Sequence, residues 1–259
     1  IMKLIFTLIF TAYSIAAIPI SVTKGPDGIK IHCLNSANNP LLGSPAYKNV
    51  RIVELEKVPF FQRINNIRKL EMNDDYLFAG GGSYLKNGVY NFPNIPTEEI
   101  FTSPNKDDVE GIVFSSLPLS YGGNIVDEFY LRFKDGQVID FGAKNGYEVL
   151  KGIIDSDEGS KRLGEIALLP YHSPISELKT LFYNTLYDEN ASCHMALGIG
   201  FSECIKGGID MNKEELFKKG INDSLVHVDF MMGTEDLMID GILEDGSHVK
   251  IFENGNFVF

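Results

Sequence analysis

The sequence predicts an α+β fold, a mixed and largely antiparallel β-sheet carrying a few short helices. Three observations lead to that class. Apolar and polar residues alternate through stretches such as "VDEFYLRFKDGQVIDFGA" at 126–143, which is the period of a half-buried strand. The dipeptides Asp135-Gly136, Asp245-Gly246 and Asn254-Gly255 interrupt such stretches and suit the positive φ of a two-residue hairpin turn. Helical spacing is confined to short runs, with no strand–helix–strand rhythm of the kind that builds a parallel sheet.

Taken in order, residues 21–95 hold short extended pieces such as "KNVRIVELEKV", cut by Pro, Gly and Asn. "GPDG" at 25–28 is a turn by composition. "AGGGS" at 79–83 reads as a flexible loop, and it lacks the Lys-Ser/Thr ending of a phosphate cradle. Beyond residue 109 the alternation sharpens into strands around Asp135-Gly136. Val149, Leu150, Ile153 and Ile154 then recur at helical spacing. "NKEELFKKG" at 212–220 opens at an Asn cap with an acidic first turn and closes at Lys-Lys-Gly, the marks of a short helix. In "SLVHVDFMMG", His227, Asp229 and Met231 fall on one face and Val226, Val228 and Phe230 on the other. The last 25 residues read as two or three antiparallel strands.

A chain of 259 residues with 44% apolar content can bury a sizeable core. Its formal charge of −12 argues against nucleic acid, because phosphate binding needs a basic face. Three cysteines, Cys33, Cys193 and Cys204, make neither a disulfide framework nor a C-x-x-C zinc knuckle. That usage suits a reducing compartment. The apolar run "IMKLIFTLIFTAYSIAAIPIS" at 1–21 is too short and broken for a membrane span. Residues 1–24 read as a signal-like leader, which would make the protein exported.

Six residues stand out as metal ligands. His227 and Asp229, two apart on a strand, project from one face and suit one ion or two neighbouring ones; the plainer alternative is a solvent-facing polar edge. Glu189 and His194 flank a turn that folds back, where Asn190 and Ser192 would otherwise serve as local caps. Glu165 sits inside the apolar run of "LGEIALLP"; buried there, a carboxylate needs a partner or a cation. Glu99, with Glu98 beside it, occupies a similar place before Ile100-Phe101. Together Glu99, Glu165, Glu189 and Asp229 carry four negative charges beside two imidazoles, which two divalent cations would neutralise. Mixed carboxylate and imidazole donors suit zinc, cobalt or manganese, and a pair of such ions makes a hydrolytic site.

"PTEEIFTSP", "LGEIALLPYHSPIS", "LFYNTLYDENASCHMALG" and "NDSLVHVDFMMGTEDLMIDGI" resemble the motifs of the aminopeptidase T / aminopeptidase S metallopeptidases. The resemblance runs from about Asn91 to Phe259. It implies a sheet-rich, metal-binding C-terminal catalytic domain over 25–259, with residues 1–24 the remnant of a preceding domain as the alternative to a leader. It also implies Glu99, Glu165, Glu189, His194, His227 and Asp229 as ligands of two metal ions, with Glu165 lying between them. It further implies a cytoplasmic homodimer that releases N-terminal amino acids from peptides with a free N-terminus, with Glu165 orienting the attacking water. One position departs from the pattern: Phe201 stands where the family has a tyrosine held to stabilise the transition state. Without that hydroxyl an oxyanion loses a donor, so the alternative is a catalytically weakened or truncated homologue that still binds metal. Tyr183 is a second candidate for the missing phenol. A reading from a different class, an acidic sheet-rich binding module, predicts no stoichiometric metal.

Overall fold

In the computed structural model of the chain, residues 20–25, 28–33, 40–44, 49–54, 66–73, 75–80, 82–91, 98–242 and 248–258 are described. Strands dominate, helices are short, and every strand pairing among these residues is antiparallel. The α+β class expected from the sequence is the one observed. Among the described residues no helix is long and apolar enough to cross a membrane.

Hairpins build the largest sheet. Asn124–Lys134 returns as Gln137–Asn145 through Asp135 and Gly136, with φ of 50° and 74°, the left-handed pair a tight turn demands. Pro104–Phe114 and Asn66–Met72 extend this sheet on one side. Asn49–Glu54, Leu237–Ile242, His248–Glu253 and Asn256–Phe257 continue it, the last two joined through Asn254-Gly255. Asp245 and Gly246 lie outside the described residues, as do Pro26 and Asp27 of the expected "GPDG" turn. Ile20–Gly25, Gly28–Cys33 and Pro40–Ser44 pair as a separate three-stranded sheet. Residues 1–19 of the expected leader or remnant are outside the described set. Ala79, expected in a loop, pairs instead with Phe101 through two backbone hydrogen bonds.

A second sheet of four strands positions the candidate ligands. Its order is His227–Met231, His194–Gly198, Leu163–Leu168, Ile100–Thr102. One of its faces sends Ile166, Met195, Leu197, Val228 and Phe230 into the core, where they join Val113, Phe129, Leu131 and Phe133 of the large sheet. The Phe129 and Phe230 rings meet edge-on at 5.7 Å, a favourable aromatic geometry. The helix Tyr147–Ile154 closes the cluster with Leu150, Ile153 and Ile154. With period two, the opposite face of the small sheet is left for polar side chains. Lys213–Lys218 is the short helix expected, begun by a reciprocal capping box between Asn212 and Glu215.

Candidate metal centre

Antiparallel register gathers the polar residues on that second face. Glu165 lies opposite Ala196, and Ala196 opposite Asp229, so the three form one row across three strands. His194 precedes Ala196 by two residues, and His227 precedes Asp229 by two, which keeps both on the same face. Glu99 stands just before Ile100–Thr102, whose Phe101 lies opposite Ala167, itself opposite His194.

Two groups of side chains result. Glu99, Glu165 and His194 bring ligand atoms within 4.8 Å of one another, and so do Glu165, His227 and Asp229. Glu165 belongs to both. Far from being the water-facing edge residue that its sequence allows, it sits on an inner strand whose six residues are all buried. Glu189 is half-buried at the start of the turn Glu189–Ala191, near enough for its charge to push Glu165 upward, but it is in neither group. Its neighbour Asp188 caps a turn by accepting from the backbone N–H groups of Phe182 and Asn184 at 2.6 and 3.0 Å.

Both imidazoles are aimed by the backbone. A carbonyl can only accept, so His227 Nδ1 donates to Ile199 O at 2.8 Å and His194 Nδ1 to Ser192 O at 3.2 Å. A deprotonated His227 Nε2 could then ligate a cation, the arrangement that orients a metal-ligating histidine; protonated, it donates to Glu165 at 3.1 Å. Close backbone packing holds these carbonyls. A Cβ on Gly164 would stand 2.2 Å from Ile199 O, and one on Gly198, at φ 109°, 2.0 Å from Val226 O. Asn222 Nδ2 ties Gly198 O to Gly159 O. The Asp157 carboxylate, accepting from Leu225 N and Ser224 Oγ, braces the entry to His227–Met231.

The electrostatics are those of crowded, buried carboxylates around two imidazoles. Burial pushes Glu99 well above the usual carboxylate range, and the charges of Glu165 and Asp229 push it further. Burial also raises Glu165, to about 8, even though it accepts a hydrogen bond from His227. Burial alone would depress His227; its contacts with Asp229 at 3.3 Å and Glu165 at 3.1 Å instead hold it at about 11. Burial opposes the charge of Asp229, but the hydrogen bond and charge of His227, with smaller help from His194 and Glu165, together outweigh it and leave this carboxyl below its ordinary value. His194 is depressed by burial. Without a cation, then, the cluster retains protons that crowded carboxylates would otherwise shed. Oxygen and imidazole donors, packed this closely, fit divalent zinc, cobalt or manganese.

Other residues singled out in the sequence resolve simply. Cys193 points into the core, its Sγ bonded to Leu169 O, and burial pushes the thiol up to about 12. It is no ligand. Tyr183 is exposed at the surface. Phe201 lies between Phe101 and His227, with ring centroids 5.2 and 4.8 Å away. Ala196, Gly198, Ile199, Asn222 and Asp157 escaped the sequence reading; in "HMALG" only the small residues at two-residue steps from His194 hint at the first two.

The sequence model of a family described as thermophilic metalloprotease (M29) matches residues 66–257. Aminopeptidase 2 of Geobacillus stearothermophilus is 53% identical over 190 residues, covering 73% of this chain and 46% of that protein. Aminopeptidase AmpS of Bacillus subtilis is 52% identical over 184 residues, covering 71% of this chain and 45% of its own. The structure of wild-type AmpT from Thermus thermophilus aligns with a TM-score of 0.73 at 37% identity, over 82% of this chain and 50% of that one. The chain thus spans about half the length of the curated relatives it matches.

Proposed function

The chain belongs to the M29 metallopeptidase family, and from that premise we propose that it is a metal-dependent aminopeptidase, hydrolysing N-terminal amino acids from peptides. Glu99, Glu165, Glu189, His194, His227 and Asp229 would hold two divalent ions, zinc, cobalt or manganese. One observation carries the reading: Glu165 shares its carboxylate between two ligand groups on one sheet face. Similar proteins named as aminopeptidases supply the reaction class.

Cations held there would polarise the scissile carbonyl and lower the pKa of an attacking water. The chain's own residues do the rest. Glu165 orients that water and accepts its proton. Ile199 O and Ser192 O fix the two imidazoles through their Nδ1–H groups. The Phe101 and Phe201 rings wall one side against bulk water. A carboxylate of the cluster takes the free amine of the substrate, which is how an exopeptidase recognises a chain end. The same reading makes residues 25–259 the catalytic domain of a cytoplasmic homodimer.

Purified chain incubated with leucine p-nitroanilide and zinc or cobalt tests the proposal. Nitroaniline release that o-phenanthroline abolishes and added metal restores is the expected result. Two bound ions per chain with no chelator-sensitive release would leave the weakened homologue; absence of stoichiometric metal would leave a binding module.

The weakened reading has its own support in Phe201, which packs beside His227 without a hydroxyl. If an oxyanion donor is lacking there, Phe201→Tyr raises kcat by up to about 10²-fold at unchanged metal content. An unaltered kcat would mean that the hydroxyl is not missed.

A further inference from the structure

We infer that Ala196 is the floor of the cation pocket and sets its size, a positioning role that admits no side chain larger than a methyl group. The inference rests on the metal reading of the same site. In the register, Ala196 lies between Glu165 on one neighbouring strand and Asp229 on the other. His194 stands two residues before it on its own strand, and on the far side Gly198, opposite His227, presents no side chain. Ala196 is therefore ringed by candidate ligands on the sheet face they share.

Distances make that ring close overhead. Adjacent strands lie about 4.8 Å apart, so the backbones of Glu165 and Asp229 stand roughly 10 Å from each other. Yet their carboxylates meet the His227 imidazole within 4.8 Å. Glu165 reaches that meeting across the strand that carries Ala196, which is completely buried, while His227 and Asp229 share the strand on its other side. A cation bound by these three side chains would sit over the alanine methyl. The flanking Met195 and Leu197 point to the opposite face, into the hydrophobic core, so a larger residue at 196 could not relieve its bulk on that side. Local preference would favour one, since β-branched residues suit strands better than alanine. The space overhead, and not the backbone, restricts the position.

The test compares the unaltered chain with Ala196→Gly and Ala196→Val. Zinc per chain is measured by mass spectrometry after dialysis, and melting temperature is measured in EDTA. The unaltered chain and the glycine variant should bind the same zinc, and the valine variant at most about half as much, because cores register even one added methylene. Equal zinc in the valine variant overturns the floor and leaves the metal reading intact. No zinc in the unaltered chain overturns the metal reading, and the floor with it. Loss of zinc in the glycine variant as well would show that size is not the restriction. Should the valine variant fail to fold, Ala196→Val with Asp229→Ala decides: removing the overhanging carboxylate should restore soluble, folded chain, and continued failure would refute the proposal.

Discussion

Replacing Glu165 with glutamine should lower kcat/KM on an aminoacyl p-nitroanilide by on the order of 10³-fold. Glutamine matches glutamate in shape and still accepts a hydrogen bond, so the contact to His227 Nε2, 3.1 Å in this structure, can persist. The substitution removes proton-accepting capacity and one negative charge. Because Glu165 belongs to both ligand groups, the loss should appear in both, and zinc content should fall together with turnover. A buried neutral amide next to His227 leaves the core face of the sheet untouched, so circular dichroism should stay close to that of the parent, as should the melting temperature in EDTA at about pH 5, where the folded chain's Glu165 carboxyl is itself neutral. Activity within about tenfold of the parent would assign the proton transfer to another group.

The metal-free chain should lose stability as pH rises. Glu165 titrates near its ordinary 4.5 when unfolded and at about 8 when folded. Between those values the native state keeps a proton that the unfolded state releases, so this stabilisation is complete below about 4.5 and is lost by about 8. His227 acts with the same sign. Its ordinary value of 6.5 becomes about 11 on folding, and its contribution disappears as pH climbs through that window. Asp229 has the opposite sign, being depressed, and its contribution is lost only in acid. Glu99, raised by burial, acts with the same sign as Glu165, whereas His194, depressed by burial, works against them until pH passes its ordinary 6.5. Thermal melts of EDTA-treated chain should therefore show a melting temperature that falls from about pH 6.5 to 9. Zinc needs the deprotonated ligands, so its binding should release protons and tighten with pH. Calorimetric titration in two buffers of different ionisation heat would detect that release. A flat melting profile with no proton release would mean that the cluster binds no surplus proton.

Most of the fold could be read because its signals are local. Asp135-Gly136 announces a hairpin through backbone dihedrals that only such residues tolerate cheaply. Leu150, Ile153 and Ile154 mark the buried stripe of one helix, and Asn212 with Glu215 marks the start of another. The face shared by His227 and Asp229 follows from period two. What remained hidden depends on partners distant in sequence. Nothing near Glu165 reveals that it opposes Ala196, or that Ala196 in turn opposes Asp229. Asp188 and Glu189 are chemically alike in the sequence; only the fold engages the first with the amides of Phe182 and Asn184. The braces at Asp157 and Asn222 act across 67 and 24 residues, beyond any periodicity. Asn190 and Asn222 both match a glycosylation pattern, yet both are buried with their amides bonded to backbone carbonyls, which leaves no place for a sugar.

Every strand of the small sheet either carries a candidate ligand or, as with Glu99, begins right beside one. During synthesis the chain emerges from its N-terminus, and domains assemble as units. A nascent polypeptide on the ribosome therefore has no finished coordination cage until the segment ending in Met231 has left the exit tunnel. On the proposed metal reading, ion capture would therefore follow assembly of the sheet.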